Sequence, residues 1–274
     1  MIDHASLFPF QLQFNYKCVL YYKCLEMAKK FQNIVERRKK YGLCFRNKRI
    51  RKKIKNENII KGISLKVPKG ETYGLLGPNG AGKSTTMKLL CGLLKASSGE
   101  IIFDGKKWSK DTLNKIGVLI ENPAIYGNLT ARENMKIHAC MLGVSESEVK
   151  RVLTLLKMDK TGKKKVSNFS LGMKQRLGIA IALLGNPSLV ILDEPTNGLD
   201  PIGIQELRDL IKRLNESGIT VLVSSHNLAE IQHIASYVGI IINGKLKYEG
   251  KVNNNDNLEN IFMNVTREEE YSYV

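Results

Sequence analysis

The sequence has no run of eighteen apolar residues, so nothing in it reads as a membrane-crossing helix. Cysteine is sparse and odd in number: Cys18, Cys24, Cys44, Cys91 and Cys140 are scattered, without the paired spacing of a zinc site. Neither a disulfide framework nor a metal knuckle is expected, and free cytosolic thiols are. The opening MIDHASLFPFQLQF has no basic stretch ahead of an apolar one, so it does not read as a secretory signal. Internal repeats are absent, and Asn253–Asn255 is the one low-complexity tract, expected as a loop. What remains is ordinary globular material, with 43% hydrophobic and 25% charged residues in 274, enough for a sizeable core.

Acidic residues are scarce at one end. Residues 1–61 hold 16 Lys+Arg against 4 Asp+Glu, whereas residues 62–274 hold 27 against 22. The net charge of +17 is therefore concentrated in the first sixty residues, and any anionic lipid or nucleic-acid partner is a question about that segment alone. Its charge run, ERRKKYGLCFRNKRIRKKIK (residues 36–55), has no stable period. A solvated arm, a phosphate- or lipid-binding arm, and sequence upstream of the true start are all open readings. The expected division is a basic extension over 1–55, a domain over 56–255 and a tail over 256–274.

Beyond Lys61 the text alternates. Apolar strands are expected within 71–77, 97–105, 116–121, 188–195 and 219–226, with a hairpin over 238–250. Helices are expected at 84–94, 145–158, 201–218 and 228–236, the second carrying the stripe Val149, Val152, Leu153 and Leu156. The continuous apolar run in SLVILDEP suits a parallel strand buried on both faces. Strands alternating with helices give an α/β fold with a parallel sheet. The polar, lysine-rich stretch 122–169 reads as an inserted helical lobe.

Chemistry enters at GPNGAGKST. The run Gly77, Pro78, Asn79, Gly80, Ala81, Gly82, Lys83, Ser84, Thr85 follows an expected strand and opens an expected helix, the context a phosphate-binding P-loop requires. Its glycines let successive N–H groups face a β-phosphate, and the helix start adds partial positive charge. Lys83 reaches the β- and γ-phosphates, Ser84 ligates Mg²⁺, and Thr85 supports the α-phosphate side. In LVILDEP, Asp193 ends a buried strand and orients Mg²⁺ through water, while Glu194 polarises the attacking water. ATP and Mg²⁺ are the expected substrate and cofactor.

With these residues in place, the sequence resembles the ATP-binding cassette (ABC) ATPases over about 56–250. The resemblance implies a RecA-like P-loop NTPase core with an inserted helical lobe. It also explains why an apolar helix starts with polar groups in NFSLGMKQRLGIAIALLG. Ser170-Leu171-Gly172-Met173-Lys174-Gln175 looks like the family's signature loop, with Phe169 for the usual Leu, and Ser170, Gly172 and Gln175 are expected to meet the γ-phosphate of a second copy. Two nucleotides are then sandwiched head-to-tail in a homodimer. Asp200 in NGLDP looks like the D-loop residue at that interface, and His226 in LVSSH like the switch histidine at the γ-phosphate. Glu121 stands where the family usually has a metal-ligating Gln. That feature, with IENPAIYGNLTARENM and SSHNLAEI, looks like the ATPases of bacitracin-type and lantibiotic-immunity exporters. Ile54 stands where an aromatic residue normally stacks on adenine, and Phe45 is a candidate substitute.

The resemblance implies an ATPase at the cytoplasmic face of the cell membrane, peripheral to it. It implies separate integral-membrane permease subunits, an antimicrobial peptide as cargo and no nucleic-acid partner. The alternatives are an ABC ATPase moving a drug or lipid, and a soluble ABC protein acting on nucleic acid, which usually carries two cassettes or a coiled-coil insertion. A P-loop kinase or GTPase accounts for the phosphate loop but not for the signature loop, D-loop and switch histidine together.

Overall fold

The computed structural model describes residues 42–252 and 257–271. The arm before residue 42, with Cys18 and Cys24, and the Asn253–Asn255 loop lie outside the described residues. Along the chain, β1 (Leu43–Ile54), β2 (Glu57–Ile63) and β3 (Lys66–Pro68) lead into β4 (Thr72–Leu76) and α1 (Lys83–Leu90). β5 (Ser98–Phe103) and β6 (Lys106–Lys107) precede β7 (Ile116–Leu119). Next come α2 (Ala131–Leu142), α3 (Glu146–Leu155) and α4 (Leu171–Leu183), then β8 (Leu189–Asp193), α5 (Pro201–Glu216), β9 (Thr220–Ser225) and α6 (Leu228–Ile234). β10 (Tyr237–Ile242), β11 (Lys245–Lys251) and α7 (Leu258–Tyr271) complete the order.

Six strands form one sheet in the order β11-β10-β4-β9-β8-β7, parallel except for β11. Every residue of β4, β8 and β9 is buried. The pleat sends alternate side chains to opposite faces: Leu189 and Ile191 of β8 join one apolar cluster, Val190 and Leu192 the other. Leu222 of β9 is likewise separated from Val221 and Val223. A strand with two buried faces has no polar side, which is why these segments read as unbroken apolar runs. One cluster lies toward α1 and a second, antiparallel sheet of order β2-β1-β5-β6, with β3 paired to β1. The other lies toward α2 to α7.

The basic extension expected to reach residue 55 is shorter than that. Leu43–Ile54 is β1, hydrogen-bonded to β2, β3 and β5. Cys44, Phe45, Asn47 and Ile50 point inward, while most of its lysines and arginines face outward. Burial pushes the Cys44 thiol up to about 11, so it stays protonated at neutral pH. Cys44, Cys91 and Cys140 are free, as expected. The segment expected as a tail carries α7, whose Leu258 is fully buried with Ile261, Phe262 and Val265 against the same cluster as α6.

Between β7 and α4, residues 122–169 hold α2, α3 and short 3-10 turns at 159–161 and 166–168. Thr130 and Glu133 cap α2 reciprocally, Thr130 N–H donating to Glu133 Oε2 at 2.7 Å and Glu133 N–H to Thr130 Oγ1 at 3.2 Å. Gly143, at φ 65°, ends it in the left-handed conformation. Among the described residues no helix is long and apolar enough to cross a membrane.

Candidate active site

The carboxyl edge of the parallel sheet gathers the chemistry-bearing residues. Register places Leu119 beside Leu192, Asp193 beside Ser224 and Leu76 beside Ser225. The segments leaving these strands therefore emerge side by side: the P-loop after β4, Glu121 after β7, Asp193 and Glu194 at β8, and His226 after β9. In open parallel sheets this edge is where ligands bind.

The P-loop is shaped by what surrounds it. A β-carbon on Gly77 would lie 2.2 Å from the backbone oxygen of Ile241, and one on Gly82 would lie 2.8 Å from Ile60 Cδ1. Gly82 also caps α1 with φ 107°, a left-handed conformation suited to glycine. Ala81 O accepts the Gly244 N–H at 3.0 Å, and Gly244 O accepts the Lys61 N–H at 2.8 Å, tying the loop to the β10–β11 turn and β2. Pro78, Asn79 and Gly80 are exposed, while Ser84 and Thr85 are half-buried at the start of α1. Gly80, Gly82, Lys83, Ser84 and Thr85 face a cavity of about 200 Å³, closed on its sides by Ile59 and Glu194.

Lys83 is buried, and its ammonium donates to Gly77 O at 2.7 Å and Pro78 O at 3.3 Å. It also lies 3.4 Å from Glu194 Oε1. The other Glu194 oxygen meets His226 Nδ1 at 2.9 Å. One carboxylate thus bridges the P-loop lysine and the histidine after β9. Glu194 holds φ 48°, a conformation that costs a side-chain-bearing residue on the order of 1–2 kcal/mol and aims its carboxylate into this gap.

Ser224 organises both acids. Its hydroxyl donates to Asp193 Oδ1 at 2.6 Å and accepts the Glu194 N–H at 2.9 Å. Sequence reasoning missed it, although a polar residue ending the apolar run of β9 was the available signal. The Thr196 hydroxyl donates to Glu230 Oε2 at 2.5 Å, and Glu230 Oε1 accepts from Asn227 at 3.3 Å, joining the segment after Glu194 to the turn after His226.

Three expected site residues sit differently from the sequence reading. Gln175 is 6% exposed and lines the groove between α4 and α5 instead of the loop at the start of α4. It stands five residues past Ser170, which turns it about 140° from that residue around the helix. Phe45 is 1% exposed in the core between the sheets and is not free to stack on a base. Glu121, expected as a metal ligand with Ser84 and Asp193, pairs its carboxylate with Lys88 Nζ at 2.6 Å. Among the described residues no three His, Cys, Asp or Glu side chains lie close enough to hold a metal.

The start of α4 carries Ser170 as its cap, accepting the Met173 N–H at 3.3 Å, with Leu171 exposed beside it. A β-carbon on Gly198 would lie 2.0 Å from Leu171 Cδ2, so the loop after β8 and the start of α4 pack as one surface. Asp200 is exposed and caps α5 through Oδ1, 2.9 Å from the Gly203 N–H. Ile54 lies at the exposed end of β1, and Ile59 of β2 lines the cavity itself.

The ABC transporter family model matches residues 60–197, half of the chain. The chain belongs to the ABC transporter ATP-binding family. It is 50% identical over 215 residues to the lantibiotic transport ATP-binding protein SrtF of Streptococcus pyogenes, covering 78% of this chain and 94% of that protein. It is 48% identical over 199 residues to the bacitracin transport ATP-binding protein BcrA of Bacillus licheniformis, covering 71% of this chain but 65% of that longer protein. The solved structure of an ATP-binding subunit of an ABC transporter superposes with a TM-score of 0.74 at 29% identity, covering 82% of this chain and all of that one. A dimeric ATP-binding cassette in a post-hydrolysis state with ADP and Pi superposes at 0.69 with 27% identity, covering 76% of this chain and 99% of that one. The fold is that of an ABC ATPase, and the chain binds and hydrolyses ATP. The kinase and GTPase alternatives fall with this assignment.

Proposed function

We propose that this ABC ATPase drives export of an antimicrobial peptide of the lantibiotic class, protecting the cell from that peptide. The observation that carries the cargo is the 50% identity spanning nearly the whole of a lantibiotic transport subunit. The chain works as a homodimer at the cytoplasmic face of the membrane, against separate permease subunits, and nucleic acid has no part in it.

Roles follow from the site. The N–H groups of Asn79, Gly80, Gly82, Ser84 and Thr85 cradle the phosphates, because the approach of Ile241 and Ile60 leaves no room for side chains at Gly77 and Gly82. The Lys83 ammonium exchanges carbonyl partners for phosphate oxygens. Ser84 and Asp193 fit Mg²⁺, a hard ion that takes few protein ligands and completes its shell with phosphate and water oxygens. When bound, it supplies charge neutralisation at the β- and γ-oxygens. Glu194 takes the proton of the attacking water, and His226 holds the second carboxylate oxygen so that the first faces the phosphate. The exposed Ser170–Gly172 turn and Asp200 complete the nucleotide site of a second copy.

Glu194→Gln tests the sandwich. It removes the proton acceptor while keeping the side chain's shape, so turnover falls by roughly 10²–10⁴ and MgATP traps a dimer, read by light scattering. A variant that binds MgATP yet stays monomeric in the presence of its permease overturns the trans-completed site. For the cargo, loss of the gene should sensitise the host to a lantibiotic; unchanged sensitivity removes the immunity assignment and leaves the ATPase.

A further inference from the structure

The helix that opens with the P-loop lysine carries a second lysine one turn beyond the expected metal-binding serine. Ser84 and Lys88 stand at i and i+4 and so share a face of α1. Each lysine of this helix pairs with a carboxylate from the sheet's edge: Lys83 with Glu194, and Lys88 with Glu121 at 2.6 Å. Glu121 leaves β7 two residues past Leu119, whose neighbour on β8 is Leu192, so its backbone emerges alongside Asp193 and Glu194. Glu121 does not line the P-loop cavity, but it follows the strand edge that carries Asp193 and Glu194, and its partner Lys88 lies one turn along α1 from Ser84, which does line it. Uncompensated negative charge near a triphosphate opposes its binding. Glu121 also holds φ 60°, which a β-carbon disfavours, and it begins the segment leading into α2.

We infer that Lys88 is a positioning residue for nucleotide binding: it holds Glu121 on α1, neutralises that carboxylate beside the triphosphate, and ties the root of the helical lobe to the P-loop helix. The inference rests on the ATPase reading and adds to it a residue that touches no substrate.

The test is a double-mutant cycle on MgATP affinity, measured by equilibrium binding to the full chain without turnover. Lys88→Met should weaken binding about fivefold when Glu121 is present. The same change should cost under about twofold in a Glu121→Gln background, where there is no charge to compensate. Lys88→Arg should keep the affinity, and added salt should shrink the difference between backgrounds. Equal losses in both backgrounds, or no loss in either, overturn the inference. If Lys88→Met lowers the unfolding midpoint, the charge exchange decides instead. Lys88→Glu places two acids together, and adding Glu121→Lys should recover affinity; failure to recover overturns the inference. A wild-type chain that binds no MgATP at all sinks the ATPase reading, a result distinct from a cycle that shows no coupling.

Discussion

The P-loop and the β1–β2 hairpin flank one pocket and are built by opposite rules. The P-loop is fixed at both ends: Ile241 O and Ile60 leave no room for side chains at Gly77 and Gly82, and Gly244 is bonded to its backbone. The hairpin offers the pocket only the flank of Ile59, and its tip, from Ile54 to Glu57, is exposed. Phosphate recognition needs backbone N–H groups at set positions, so few residues can serve. Covering a base needs only an apolar flank, which many residues supply.

The sharpest way to break the comparison is at Gly77. Its added methyl in Gly77→Ala would meet a backbone oxygen, which cannot swing aside as a side-chain end could. We expect loss of MgATP binding and a stability cost on the order of 3 kcal/mol by denaturant titration. Gly80→Ala is the control. No atom lies within 4 Å of its added carbon, and φ is 78°, so the cost is conformational, about 1–2 kcal/mol. Equal costs at the two positions would mean that packing against β10 does not shape the loop.

A smaller effect is expected one step behind the acids. Ser224→Ala strips the partner from Asp193 Oδ1 and from the Glu194 N–H in a fully buried place. We expect kcat to fall by roughly 10–100-fold, with a shift in the Mg²⁺ concentration needed for half-maximal rate. Stability should drop by about 1–3 kcal/mol. Unchanged kcat with reduced stability would make Ser224 a packing residue alone.

The same rules decide what could be read before the fold was seen. The P-loop, Asp193, Glu194 and the buried strands were legible because each is set by local geometry or by two-sided burial. β1 was not. Its outward positions carry Arg46, Lys48, Arg49, Arg51 and Lys53, and the register shift between Lys48 and Arg51 breaks the alternation between Phe45 and Ile50. A half-buried strand with bulges and a charged face has no clean period of two, so it passed for a basic arm. Order along the chain says nothing of rotation about α4, so it could not show that Gln175 lies in the groove beside α5. Lys88 and Ser224 act through other side chains, and such partners become visible only when strands are laid side by side.

The smallest effect sharpens the lax side of the comparison. If the hairpin tip covers the base, Ile54→Tyr should add stacking that an aliphatic flank lacks, worth about 1 kcal/mol, or roughly fivefold in ATP affinity. Ile54 is 41% exposed at the end of β1, so the larger ring displaces no core atoms. Inorganic tripolyphosphate is the discriminating ligand, because it engages the P-loop and has no base. Its affinity should be the same in the variant and the wild type. A gain shared equally by ATP and tripolyphosphate would place the effect at the phosphates. No gain for either would mean that the base lies elsewhere, leaving Ile59 as the apolar wall the pocket already presents.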